Sequence, residues 1–276
     1  MMKSRWGGWI AIALIVLIVT GCNWVMQRRP NVILPIANVN LTLGNPSNAK
    51  ADPNNYLLEK PQYVISYNNS RHILNWSSWQ LDRNWLGDVP RSNNFRPDEG
   101  LPQGFYPVRS SDYNGSGFDR GHMTPSGDRS RTAEDNSATF LMTNILPQAP
   151  DNNQGPWRVL EDYCRELVMQ GKELYIIAGG YGNQRSIGKS NIKITAPDRV
   201  WKVIVVSDKP GLGVAGVNPN TRLIAVDMPN QQGIREDDWR KFRVSVDLLE
   251  ERTGYNFLTN VSDVIQVQIE KKVDRG

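Results

Sequence analysis

Three stretches rich in β-branched and aromatic residues set the tightest limit on what this chain can fold into: ELYIIAGG (173–180), VWKVIVVSD (200–208) and TRLIAVDMP (221–229). Each is bounded by Gly, Pro, Asn or Asp, and each predicts a strand. Near the start of the domain, YVISY and HILNWSSWQL alternate apolar and polar residues on either side of NNS, which predicts a β-hairpin. His72 falls at the edge of that turn and reads as an exposed turn residue. Between the hairpin and the later strands, NNQGPWRVLEDYCRELVMQG predicts a helix with an Asn cap and a stop at Gly171. Its Trp157, Leu160, Cys164, Leu167 and Val168 fall on one stripe at helical spacing. A second helix, SVDLLEERTG, runs from Ser245 to Gly254. Strands and helices mix without regular βαβ alternation, repeats or low-complexity tracts. The prediction is an α+β fold in one domain.

With 39% hydrophobic residues over 276 positions, the chain can bury a large core and is not of the disordered class. Its formal charge is +4, and a leader carrying Lys3 and Arg5 would leave 30 basic residues against 28 acidic ones. Residues 83–131 hold seven arginines but also six acidic residues, so any basic feature has to be local. At the N-terminus a short basic segment precedes WIAIALIVLIVT, twelve residues that suit a signal-peptide core and fall short of the ~20 of a spanning helix. The VTGC that follows resembles the cleavage box of bacterial lipoproteins, which implies acylation of Cys22. Asn23 after it favours the outer membrane over inner-membrane retention. The expected organisation is a signal peptide over 1–21, a tether over 22–48 and a folded domain over 49–270. The product would be exported and lipid-anchored at the cell envelope, or released extracellularly. With Cys22 lipidated, Cys164 has no intramolecular partner. Two histidines and one free cysteine also argue against a zinc site of the usual ligand sets.

One of those histidines stands in FDRGHMTPSGDRS (118–130). Glycines and a proline punctuate this stretch, so it reads as a polar loop, a common setting for chemistry and for ordinary surface turns alike. His122 titrates near neutrality in its unperturbed form. Arg120 and Asp119 precede it. On the predicted helix, Glu161 and Arg165 are four apart, which fits a surface ion pair as well as a functional rim. Asn153 at the helix start fits simple capping. Taken together these residues offer a base, a metal ligand and phosphate clamps.

At this level of detail the chain resembles the DNA/RNA non-specific endonucleases of the ββα-metal superfamily. DRGH (119–122) matches that family's signature. The family's asparagine falls 31 positions after His122, at Asn153, and its glutamate eight further on, at Glu161. TNILPQAP, GNPSNA, YVISYNNS and NFRPDEGLPQGFY extend the likeness over roughly residues 40–262. The resemblance implies a ββα-metal nuclease fold with a central antiparallel sheet flanked by helices. It also implies hydrolysis of DNA and RNA, single- and double-stranded, to 5′-phosphate-terminated fragments. It casts His122 as general base, Asn153 as direct ligand of Mg²⁺ (with Mn²⁺ the alternative ion) and Glu161 as the catalytic carboxylate holding metal-bound waters. Arg91, 31 residues before His122, would stabilise the transition state. Arg120 and Arg165 would contact phosphates, and Asp119 would order the loop. A non-catalytic surface nucleic-acid-binding lipoprotein would require loss of the His, Asn or Glu, and all three are present. A two-metal phosphodiesterase would need more than two histidines and a cluster of aspartates.

Overall fold

The computed structural model describes residues 38–189 and 192–276. The expected signal peptide, Cys22 and the expected tether up to residue 37 lie outside the described residues.

Strands β1 (Ala51–Asp52), β2 (Asn55–Glu59), β3 (Val64–Asn68) and β4 (Ile73–Leu81) form an antiparallel meander. The expected hairpin is its β3–β4 turn, where His72 adopts φ +55° and its Nδ1 lies 3.0 Å from the Lys193 carbonyl oxygen. A separate ribbon pairs β5 (Asp119–His122) with β6 (Ile145–Gln148). The three β-rich runs become β7 (Glu173–Tyr181), β10 (Arg199–Ser207) and β11 (Arg222–Pro229). Between them lies a short ribbon, β8 (Arg185–Ile187) and β9 (Ile194–Ala196), and β12 (Arg243–Val244) closes the far edge. The main sheet has eight strands in the order β1-β2-β3-β4-β7-β10-β11-β12, with every neighbouring pair antiparallel.

Both faces of this sheet are covered, so its central strands read as continuous apolar runs. Successive side chains on β10 go to opposite faces. Val200, Ile204 and Val206 join one core, with Leu160, Cys164 and Leu167 of the long helix and Ile145 and Leu146 of β6. Trp201, Val203 and Val205 join the other, with Val246, Leu249 and Ile269 from the C-terminal helices. Lys202 shares the first face and is 1% exposed.

The described helices are α1 (Ala133–Ala138), α2 (Arg158–Met169), α3 (Val246–Thr253) and α4 (Asp263–Ile269). α3 follows its expected signals, with the Ser245 hydroxyl accepting from Leu248 N and Gly254 ending it at φ +72°. α2 starts later than expected. A helical turn (Pro150–Asn152) and a π-turn (Asn153–Trp157) precede it, broken at Gly155 (φ −101°, ψ −117°) before Pro156. A Cβ at Gly155 would sit 2.5 Å from the Arg235 carbonyl oxygen, so the close passage of that backbone excludes other residues. Asn153 therefore lies inside a wide turn and does not cap α2.

The folded unit also begins earlier than expected, at Asn38. The end of the supposed tether is held by side-chain-to-backbone bonds that composition does not reveal. Asn40 is buried, donating to the Pro61 carbonyl and accepting from Gln80 N, and Leu43 joins the second core. At the other end, beyond residue 270, Asp274 pairs with Arg222 at 2.7 Å. No helix among the described residues is long and apolar enough to cross a membrane.

Candidate active site

The DRGH segment is a strand, not the loop its glycines suggest. Asp119 to His122 pair in antiparallel register with Gln148 to Ile145. Gly121 and His122 are buried, where unpaired backbone groups are costly, and pairing with β6 satisfies them. Gly121 serves close approach and not a turn: a Cβ there would lie 2.2 Å from Gln148 Oε1 and 2.6 Å from its Cβ. α2 lies against the same core as this ribbon, and the three elements build the expected ββα unit.

His122, at the end of β5, is 7% exposed. Its ring stands edge-on to Phe140 at 4.8 Å between centroids and beside Phe95 at 5.4 Å. Nε2 is enclosed without a hydrogen-bond partner. Burial, and secondarily the positive charge of Arg91, push the imidazole down from 6.5 to about 3. The ring is therefore neutral at physiological pH. Arg91 donates to Ser126 Oγ (2.6 Å) and lies over Phe140 (4.9 Å), while Arg120 donates to Ser110 Oγ (2.7 Å) and lies over Phe95 (4.8 Å). The aromatic residues that enclose the histidine thus also lie under the two guanidiniums.

Asn153 faces this group from the π-turn. Its Nδ2 donates to Asp119 Oδ2 at 2.8 Å, and Gln154 Nε2 donates to the same oxygen at 2.7 Å. Asp119, expected to order a loop, orders the carboxamides across from it. With Nδ2 committed, Oδ1 is the atom left to bind something else.

Glu161 does not pair with Arg165. Its cationic neighbour is Lys202, with Nζ 3.8 Å away, and the ammonium lies over the Trp157 ring at 4.1 Å. That separation is too long for a hydrogen bond. Burial outweighs the attraction of Lys202 and Arg165, and the Glu161 carboxyl is pushed up to about 7. Arg165 turns instead to Asp128 (2.8 Å) and to Asp162. Asp128 is buried and also accepts from Trp79 Nε1 (3.0 Å). Two carboxylates already engage the Arg165 guanidinium, and against its desolvation the charges of Asp128 and Glu161 and the bonds to Asp128 and Asp162 hold its pKa above the usual arginine value. This makes it a more committed group than the free phosphate contact expected from sequence. Lys202 and Asp128 escaped the sequence reading, because each meets its partner only through the packing of α2 on the sheet.

Arg91, Arg120, His122, Asn153, Glu161 and Arg165 line one open cleft of about 340 Å³. Past Arg91, Arg120 and Asn153 a second hollow of about 410 Å³ continues it, walled by Phe95 and Phe118. The cleft is an elongated, arginine-lined trough with a proton acceptor in its wall. His72 is not among its lining residues.

The ββα unit packed on an antiparallel sheet defines a ββα-metal nuclease fold. Among solved structures, a chain of the "EndoG/EndoGI complex: Mechanism of EndoG inhibition" superposes with a TM-score of 0.67 at 24% identity, covering 81% of this chain and 91% of that one. The sequence model of the DNA/RNA non-specific endonucleases matches residues 44–264, and the chain belongs to that family. It is similar to a nuclease of Nostoc sp., 53% identical over 273 residues that span 97% of this chain and 98% of that protein. It is also similar to the human mitochondrial nuclease EXOG, 30% identical over 224 residues covering 73% of this chain but only 57% of that protein. The chain is a nuclease of this family.

Proposed function

We propose that this nuclease hydrolyses phosphodiester bonds in DNA and RNA, single- or double-stranded, without regard to base sequence, and leaves 5′-phosphate ends. The observation that carries the reading is the buried neutral imidazole of His122 in the wall of a trough bordered by Arg91 and Arg120. His122 takes the proton from a water that attacks phosphorus, in line with the departing 3′ oxygen. Arg91, held against Ser126 and Phe140, offsets the charge that builds on the phosphate in the transition state. Arg120 holds the phosphate at the other side of the ring, and Arg165 supports that wall through Asp128. Contacts limited to phosphates carry no base information, which suits a non-specific enzyme.

The donor set fits a hard divalent cation. The Asn153 carboxamide is oriented by Asp119, Glu161 lies on the same cleft, and both offer oxygen ligand atoms. Mg²⁺, or Mn²⁺ in its place, would sit on Asn153 with Glu161 holding its waters, and would lend Lewis-acid charge to the scissile phosphate. The test is incubation of supercoiled plasmid and of RNA with Mg²⁺ or with EDTA. Both substrates should be degraded to 5′-phosphate fragments in Mg²⁺ and remain intact in EDTA. Cleavage of one sugar only, or cleavage undiminished in EDTA, would overturn the reading.

We infer from the leader and VTGC that the enzyme is exported and tethered to the cell envelope through acylated Cys22. Replacing Cys22 with Ser should abolish labelling by a radioactive fatty acid and leave nuclease activity intact. Labelling that persists in that variant would remove Cys22 as the lipid site.

A further inference from the structure

Across the sheet from the catalytic trough, α4 ends against the beginning of α3. The carbonyl of Glu270, the residue after α4, accepts from the amides of Val246 (2.9 Å) and Asp247 (3.2 Å). This junction brings together three carboxylates. One oxygen each from Asp247, Glu250 and Glu270 lies within 4.8 Å of the other two. Asp247 is exposed and Glu250 half-buried, but Glu270 is only 4% exposed.

The buried member is the anomaly. Glu270 Oε1 is shut off from solvent with no hydrogen-bond donor near it. Glu250 accepts from Phe257 N at 2.9 Å, yet no Lys or Arg nitrogen among the described residues lies within 4.0 Å of any of the three carboxylates. The nearby arginine of α3, Arg252, is committed to Asp227. A buried carboxylate normally carries a compensating partner, because an isolated buried charge is costly. The fold has gathered three carboxylates and left an enclosed oxygen of one of them without a donor.

We propose that Asp247, Glu250 and Glu270 bind Ca²⁺, which clamps α4 to the start of α3. The ligands are all hard oxygens with no nitrogen or sulfur among them, as Ca²⁺ requires. The irregular grouping, open to solvent at Asp247, suits the 6–8 ligands and loose geometry of Ca²⁺, with waters completing its shell. Mg²⁺ demands a stricter octahedron. The site is separate from the catalytic trough: α3 and α4 pack in the second core, and α2 in the first.

Thermal unfolding of the full chain in CaCl₂ or in EDTA tests this, with Asn153→Ala as the parent so that the trough contributes no metal binding of its own. At about 10 mM Ca²⁺, a site with affinity in the range of extracellular calcium modules should raise Tm by roughly 3–10 °C. Glu270→Gln and Asp247→Asn should each remove most of that rise, and Glu270→Gln in EDTA should unfold at or above the temperature of the parent. Asp247 is exposed, so Asp247→Asn decides the matter even if Glu270→Gln fails to fold. A rise that survives in Asp247→Asn, or no rise in the parent, overturns the proposal.

Discussion

Replacing His122 with Ala is expected to cut the rate of cleavage of both DNA and RNA by about 10²–10⁴-fold, the usual contribution of a positioned base. His72→Ala should stay near wild type, since His72 is not among the residues lining the trough. The loss cannot be read from rate alone, because His122 is packed and not simply displayed. Its ring fills space between Phe95 and Phe140, and truncation should also lower stability by about 0.5–3 kcal/mol. Rates are therefore to be taken per folded molecule, from denaturant titrations run alongside. The same burial makes a prediction about pH. The folded value, about 3, lies below the ordinary 6.5, so the neutral ring contributes stability that is present above pH 6.5 and is lost as the pH falls toward 3. In ¹H–¹³C spectra the His122 ring should remain neutral from pH 8 down to pH 5. A titration midpoint near 6.5 would show that the ring is not enclosed as the fold places it, and equal losses in the two alanine variants would refute its assignment as the base.

How far the sequence foretold this arrangement depended on the distance over which each residue's partner lies. β7, β10 and β11 were legible because a strand buried on both faces must be apolar at nearly every position, a property contained within nine residues. α3 was legible for a similar reason, since its cap and its stop are local. DRGH misled because glycine signals a turn and also a close approach, and only the pairing with Gln148 distinguishes the two. The i,i+4 spacing of Glu161 and Arg165 suggested a pair, but each found a better partner through tertiary packing. Arg165 reaches Asp128, 37 positions away, and Glu161 faces Lys202 from β10. A lysine inside VWKVIVVSD is the one detectable trace of this, as a charged residue in a strand otherwise buried on both faces calls for a partner. The beginning of the domain at Asn38 had no periodic signal, because Asn40 holds it through side-chain bonds to Pro61 and Gln80.

Asn153→Ala should lower cleavage and the apparent affinity for Mg²⁺ together, with the rate at limiting metal falling by about 10²-fold or more. Asp119 Oδ2 receives the Asn153 Nδ2 proton at 2.8 Å, which fixes the amide plane and leaves Oδ1 as its free acceptor. Removing the side chain removes that oxygen, and Glu161, in its proposed role of holding the cation's waters, would not replace it. Asp119→Ala separates orientation from ligation. It keeps Oδ1 but frees the amide to rotate, and losing an orienting partner of a metal ligand typically weakens affinity by about 10–100-fold. The two variants should therefore diverge on titration with Mg²⁺. Asp119→Ala should approach the wild-type rate at saturating metal, whereas Asn153→Ala should remain slow at every concentration. An unchanged Mg²⁺ dependence in Asn153→Ala would remove it as the ligand. A rate in Asp119→Ala that no excess of metal restores would mean that Asp119 acts on the fold of β5 and not on the amide it receives.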